Sequence, residues 1–219
     1  MTAAIKAVFW DNDGVLVETE HLYFEANRQV LESAGVVLTE DQYIELFLVQ
    51  GRGAWHLLEE RGVAAEEIDR LRNQRNDLYT ALIREAPRAV PGVEEVLKSL
   101  HGKYTMGVVT SSRKDHFQAI HESTGLLKYF DFVLAIGDYA RSKPEPDSYL
   151  RAIEMSGFRP EVCIAIEDSE RGLLAATRAG LRCLVVPSAL TRQRAFAGAH
   201  RILSSVNDIP EAVVQCSSV

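Results

Sequence analysis

Cysteine is scarce in this 219-residue chain: Cys163, Cys183 and Cys216 are the only three, and none sits in a Cys-x-x-Cys spacing. That excludes a disulfide-built fold and a zinc site of the common structural kind, and it fits a reducing cytoplasm. Long apolar runs are missing too. None reaches the ~18 residues that a membrane span needs, and no apolar stretch follows a basic start as a secretory signal would. Positive charge is not in excess: 31 acidic against 24 basic residues give a formal charge of −7. The chain therefore offers no general field for nucleic acid, and an anionic ligand has to be held locally. Internal repeats and low-complexity segments are absent, and nothing marks an obligate protein partner. What is present is an ordinary globular mixture, 47% hydrophobic and 25% charged. A chain of this length buries roughly 70% of its unfolded surface in one or two domains.

Short apolar runs read as buried strands at 5–10 (IKAVFW), 104–110 (YTMGVVT), 130–136 (FDFVLAI), 162–167 (VCIAIE) and 182–187 (RCLVVP). Helical patterns at 91–102, 115–125, 147–157 and 170–180 lie between the later ones, with Pro91 opening the first and Gly102 closing it. Strands alternating with helices of this length predict an α/β fold, a doubly wound, Rossmann-like parallel sheet covered on both faces. The exception is 15–90, which shows no convincing strand. It reads as helices at 20–35, at 39–49 behind a Thr39–Gln42 capping box, at 54–62 and at 65–86. An insertion of that size exceeds a crossover and is expected to form a helical cap domain of its own. The expected division is a core of 1–16 and 88–219 and a cap of 17–87, with hinges at 15–18 and around Pro87 and Pro91.

Residues 11–14, Asp-Asn-Asp-Gly, directly follow the first strand. Turn chemistry explains such a run. A calcium loop does not, because Gly14 arrives too early in the pattern. A catalytic reading also fits, since residues i and i+2 of an extended backbone face the same side and bring Asp11 and Asp13 together. Ligands of open parallel sheets bind beyond the carboxyl ends of the strands. The residues found there are Asp11 and Asp13, then Thr110, Ser111 and Ser112, then Lys143, then Glu167 and Asp168. Each group taken alone also reads as a helix cap or a solvated loop. Together they compose a phosphoryl-transfer site. Asp11, Asp13 and Asp168 supply oxygen ligands for Mg²⁺, Lys143 neutralises crowded carboxylates, and hydroxyls and N–H groups after Thr110 hold phosphoryl oxygens.

These four motifs, in this order and around a helical insertion, resemble the haloacid dehalogenase superfamily, in the phosphatase and β-phosphoglucomutase-like branch with a helical cap. The resemblance implies Mg²⁺ as cofactor, Asp11 as nucleophile, and Asp13 as general acid and base with its backbone carbonyl on the metal. It also implies Thr110 as the phosphate-binding hydroxyl, Lys143 as the motif lysine, and Glu167 with Asp168 as the acidic pair holding the metal. The residue between the two aspartates is usually apolar in that family; here it is Asn12.

Asp13 argues against dehalogenases, which lack a carboxylate at that position. The absence of any lysine between Gly14 and Lys98 excludes the related phosphonate hydrolases, which need a Schiff-base lysine in the cap. A β-phosphoglucomutase is the rival reading, weakened by Tyr23 where the mutases carry histidine. A non-catalytic phospho-acceptor such as a signalling receiver has no place for the insertion. The expectation is a cytoplasmic phosphatase acting on a small phosphorylated metabolite of sugar phosphate, phosphoglycolate or nucleotide type. With no lysine in the cap, arginine is its only permanent cation. Arg52 and His56, four residues apart, are the candidate substrate contacts there; they share a face if the stretch is helical at that point.

Overall fold

The computed structural model describes residues 4–85 and 88–217. The expected hinge residue Pro87 lies outside them. Six strands form one sheet: β1 (Ala7–Trp10), β2 (Thr105–Val109), β3 (Phe132–Leu134), β4 (Cys163–Glu167), β5 (Arg182–Val185) and β6 (Arg201–Ile202). Their order is β3-β2-β1-β4-β5-β6, and every pairing is parallel. The order reverses direction at β1, so the carboxyl end of β1 opens into a crevice between β2 and β4, where such sheets bind ligands.

Alternation along the strands feeds two cores. Val8, Trp10, Met106, Val108, Ile164 and Ile166 face one buried cluster, and Ala7, Phe9, Val109, Cys163 and Ala165 face the other. Both faces are covered, which is why β1 is apolar at every position and β4 at every position before its final residue, Glu167. The edge strand β6 escaped sequence reading because it has two residues, both exposed, too few for any periodic signal.

Between β1 and β2 run α1 (Glu20–Ser33), α2 (Glu40–Tyr43), α3 (His56–Glu59) and α4 (Ala65–Glu85). Thr39 caps α2 with Gln42 in the reciprocal arrangement read from the sequence. Beyond Tyr43 the winding widens over Ile44–Val49, and Gln50 N–H donates to the carbonyl of Glu45 five residues back. These helices gather a buried cluster of their own, with Leu31, Tyr43, Phe47, Trp55, Leu58 and Leu71 among its members. The chain leaves and rejoins the sheet along two adjacent passages: Glu18 N donates to Arg88 O at 2.8 Å and Val90 N to Leu16 O at 2.9 Å.

The later helices are α5 (Val93–Leu100), α6 (Lys114–His121), α7 (Asp147–Ser156), α8 (Glu170–Arg178) and α9 (Ile209–Cys216). α5, α6 and α9 pack on one face of the sheet, and α7 and α8 on the other. Tyr79 and Ile83 of α4 join the α5–α6 side. Among the described residues no helix is long and apolar enough to cross a membrane.

Candidate active site

β1 hands the chain directly into the site. Asp11 N donates to Ile166 O at 2.9 Å, extending the β1–β4 ladder by one residue. The Asn12 carbonyl then accepts from Leu16 N at 2.8 Å and Val17 N at 3.2 Å, folding the loop tightly back. Gly14 is required in this turn: its φ is +82°, and a Cβ there would lie 2.2 Å from Asp168 Oδ2. Asp11 and Asp13 line one cavity, as their i, i+2 spacing implies. Asn12 is fully buried, and its Oδ1 lies 2.8 Å from His121 Nε2. His121 Nδ1 in turn lies 2.8 Å from Thr124 Oγ1. Burial pushes the His121 pKa down to about 4, so the ring is neutral. The unusual asparagine is thus a buried polar tie from the nucleophile loop to the end of α6.

Lys143 is 5% exposed, and its Nζ donates to Asp11 Oδ1 at 2.8 Å, Glu167 Oε1 at 2.6 Å and Val109 O at 2.8 Å. All three donors are spent on groups at three strand ends, which fixes the ammonium in place. Glu167 is completely buried and also accepts from Tyr149 OH at 2.5 Å. Burial alone disfavours the Lys143 ammonium, but Asp11 and Glu167 more than offset that and hold its pKa above the usual lysine value.

The carboxylate of Asp13 is set by hydroxyls. Ser112 Oγ donates to its Oδ2 at 2.6 Å, Thr110 Oγ1 is 3.4 Å from the same oxygen, and Thr19 Oγ1 donates to Oδ1. Thr110 is fully buried and its Oγ1 accepts from Ser112 N at 2.9 Å, so it shapes the loop from below. Ser111 and Ser112 line the cavity, and Ser111 Oγ has no protein partner among the described residues.

One carboxylate oxygen each from Asp11, Glu167 and Asp168 lies within 4.8 Å of the others. Burial, then Glu167, pushes the Asp11 pKa up to about 8, with Lys143 opposing. Burial, then Asp11, holds Asp168 well above the ordinary carboxylate range. One ammonium does not balance three buried carboxylates, so a hard divalent cation fits the donor set both in charge and in oxygen chemistry. Thr191 Oγ1 donates to Asp168 O at 2.8 Å, and Ser169 caps α8 by accepting from Gly172 N at 3.1 Å. Asp168 is held by both neighbours.

The cavity, about 450 Å³, lies between these strand ends and the helical segment. Arg52 lines it and is exposed; His56 does not line it. Gly51 and Gly53 have φ values of +68° and +71°, so the stretch is not helical there and α3 begins only at His56. The shared helical face expected of Arg52 and His56 is therefore absent. Sequence reading missed three groups on this side. Glu20 accepts from Tyr43 OH at 2.7 Å, and burial, then Asp13, raises its pKa to about 7. Arg75 is 8% exposed, donates to Asn27 Oδ1 at 2.7 Å and lies 4.7 Å from the Tyr23 ring centroid. Arg171 reaches in from α8. Glu20 and Arg75 sit in amphipathic helices, where a charged residue gives no signal until the fold shows what it faces.

Residues 5–180 match the family model described as haloacid dehalogenase-like hydrolase. The chain belongs to that family. This hydrolase is 33% identical over 217 residues to Protein CbbY of Cereibacter sphaeroides, covering 94% of each chain. It is also 33% identical over 179 residues to the phosphorylated carbohydrates phosphatase of Thermotoga maritima, covering 81% of this chain and 82% of that one. Among solved structures, a mutant of CbbY from Rhodobacter sphaeroides in complex with xylulose-(1,5)bisphosphate superposes with a TM-score of 0.81 at 28% identity. That match covers 96% of this chain and 99% of the other. The hydrolase is a phosphatase of the superfamily, and its six-stranded parallel sheet with flanking helices is the family's α/β fold.

Proposed function

We propose that the protein hydrolyses monoesters of phosphorylated sugars and related small metabolites with Mg²⁺, through a phosphoaspartate on Asp11. The observation that carries this reading is the convergence of Asp11, Lys143, Glu167 and Asp168 at one point, with Asp13 on the same side of the cavity. The names of the relatives support the substrate class: one is a phosphorylated carbohydrates phosphatase, and CbbY binds a sugar bisphosphate in its complex. Asp11 and Asp168 would hold Mg²⁺ with the backbone carbonyl of Asp13, and Glu167 completes the acidic set while tethering Lys143. When bound, the ion supplies positive charge against the phosphoryl oxygens and keeps Asp11 ionised.

Asp11 attacks phosphorus in line with the ester oxygen, the P–O bond breaks, and Asp13 gives its proton to the leaving alkoxide. Water then attacks the phosphoaspartate while Asp13 takes back a proton, and inorganic phosphate leaves with Asp11 restored. Ser111 and Ser112, with the N–H groups following Thr110, receive the phosphoryl oxygens. The segment 17–87 acts as a cap that closes the cavity and contacts the sugar, with Arg52 as a direct contact and His56 behind it. Three free, buried cysteines support a reducing, cytoplasmic setting. Comparing alkyl with aryl phosphates tests the assignment. Asp13→Asn is expected to slow sugar phosphates by roughly 100-fold or more, the usual worth of general acid catalysis, and aryl phosphates, whose phenolate leaves unaided, far less. Equal losses on the two would remove Asp13 from the proton's path.

A further inference from the structure

Arg171 stands in the first turn of α8, three residues after Asp168, and its side chain leaves the sheet layer to meet two backbone oxygens on other elements. Nη1 donates to Phe47 O at 3.1 Å, and Nη2 donates to Lys143 O. Phe47 lies in the widened turn 44–49 of the helical segment, and Lys143 carries the buried ammonium paired to Asp11. The third side of the guanidinium is filled by backbone. A Cβ at Gly51 would lie 2.7 Å from both Cζ and Nε of Arg171. No carboxylate of the described residues forms an ion pair with Arg171, and its Nε has no hydrogen-bond partner.

Arginines drawn out of solvent are ordinarily matched with acids, and Arg171 is half-buried. Here the matched groups are carbonyls belonging to two separate bodies of the fold. α4 already packs against α6, whereas the 44–53 stretch meets the sheet side at α8. Arg171 to Phe47 is the hydrogen bond that ties residues 44–53 to the sheet side among the described residues. A guanidinium suits the task, because its planar fork presents separated donors in fixed directions, whereas an ammonium offers one point.

We propose that Arg171 is a clasp, a positioning residue that couples the seating of residues 44–53 over the cavity to the seating of Lys143 against Asp11. The proposal rests on the phosphatase reading for what the coupling serves. Gly51 belongs to it, since any side chain there displaces the guanidinium.

The test uses the parent, Arg171→Ala, Arg171→Lys, Gly51→Ala and the Gly51→Ala/Arg171→Ala pair. The readouts are phosphate release from a sugar phosphate with Mg²⁺, and hydrogen exchange of the amides of Arg52 and Gly53, which both donate to Leu46 O. Each single alanine variant is expected to lose about 10- to 100-fold in kcat/KM, the size of a lost charge-assisted bond. Arg171→Ala speeds exchange at Arg52 and Gly53 at least tenfold while β1 and β4 keep their protection, and Arg171→Lys recovers only part of both. The double variant falls short of the product of the two single losses, because both changes break one contact and only the strain of alanine at the Gly51 φ of +68° adds to Arg171→Ala. Parental exchange at Arg52 and Gly53 in Arg171→Ala, or losses that multiply in the double variant, would overturn the clasp. A parent that releases no phosphate from any sugar phosphate would sink the phosphatase reading instead, and the exchange measurement still decides the clasp by itself.

Discussion

Replacing Lys143 with methionine keeps the length of the side chain and removes the one charge that the buried carboxylates share. The ammonium lies 2.8 Å from Asp11 and 2.6 Å from Glu167, and the three side chains are 5%, 11% and 0% exposed. Removing one partner of a buried pair costs about 3–5 kcal/mol, because the survivor keeps its desolvation cost and loses its compensation. In a chain of this size that corresponds to a fall in Tm of roughly 6–20 °C. The loss depends on pH with a definite sign. Lys143 lowers the Asp11 pKa against burial and Glu167, so without it the folded-state pKa rises further above the unfolded value. A raised acid contributes stability that is present at low pH and lost as pH rises through the folded pKa. Lys143→Met is therefore expected to be most damaging at pH 8 and to recover part of the loss at pH 5.5, where the carboxyls take protons. Urea titrations of parent and variant at the two pH values, without added metal, measure this directly. A difference below about 1 kcal/mol at pH 8, or one independent of pH, would refute the reasoning that the ammonium is the main counter-charge.

Glu20→Gln probes the carboxyl whose pKa rises from 4.5 to about 7. Its ionised form weakens the fold progressively as pH rises from about 4.5 to about 7, so the variant is expected to melt higher at pH 8, by at most about 3 kcal/mol, and to match the parent near pH 4.5. A gain at the low pH alone would reverse the sign and defeat the assignment. Asn12→Leu leaves the Nε2 of His121 unpaired in the core, at a cost of about 1–3 kcal/mol, and adding His121→Leu should return most of it, since two apolar partners leave nothing unsatisfied. Denaturant melts of the four-member cycle check this, and simple additivity of the two losses would deny the Asn12–His121 tie.

The sheet was legible because its strands are buried on both faces, so β1, β2, β4 and β5 stand out as apolar runs bounded by polar strand ends. The carboxylates and Lys143 were legible for a related reason: Asp11 and Asp13 lie just past β1, Glu167 and Asp168 at the end of β4, and Lys143 in the loop that follows β3, and parallel strands bring their carboxyl ends to one edge. The helical segment was less readable. Its capping box at Thr39 is a local signal and appears as expected, but the widened winding after Tyr43 and the two left-handed glycines at 51 and 53 depend on how Phe47 and Trp55 pack. The shared face of Arg52 and His56 was conditional on a helix at that point, and the left-handed glycines at 51 and 53 remove that condition. Arg75, Glu20 and Arg171 differ from ordinary surface charges only in what the folded chain sets against them. The tie from Asn12 to His121 joins residues 109 positions apart, a distance over which no sequence pattern operates.

The central claim is that Asp11 becomes covalently phosphorylated during turnover. Mixing the enzyme with Mg²⁺ and a radiolabelled sugar phosphate, quenching in acid within the first turnover and mapping the label by peptide mass spectrometry tests it most directly. The account predicts a phosphoryl group on the peptide carrying Asp11 in the parent, and neither label nor phosphate release in an Asp11→Asn variant with an unchanged far-ultraviolet circular dichroism spectrum. Label on any other residue, or steady turnover by the folded Asp11→Asn protein, would contradict it.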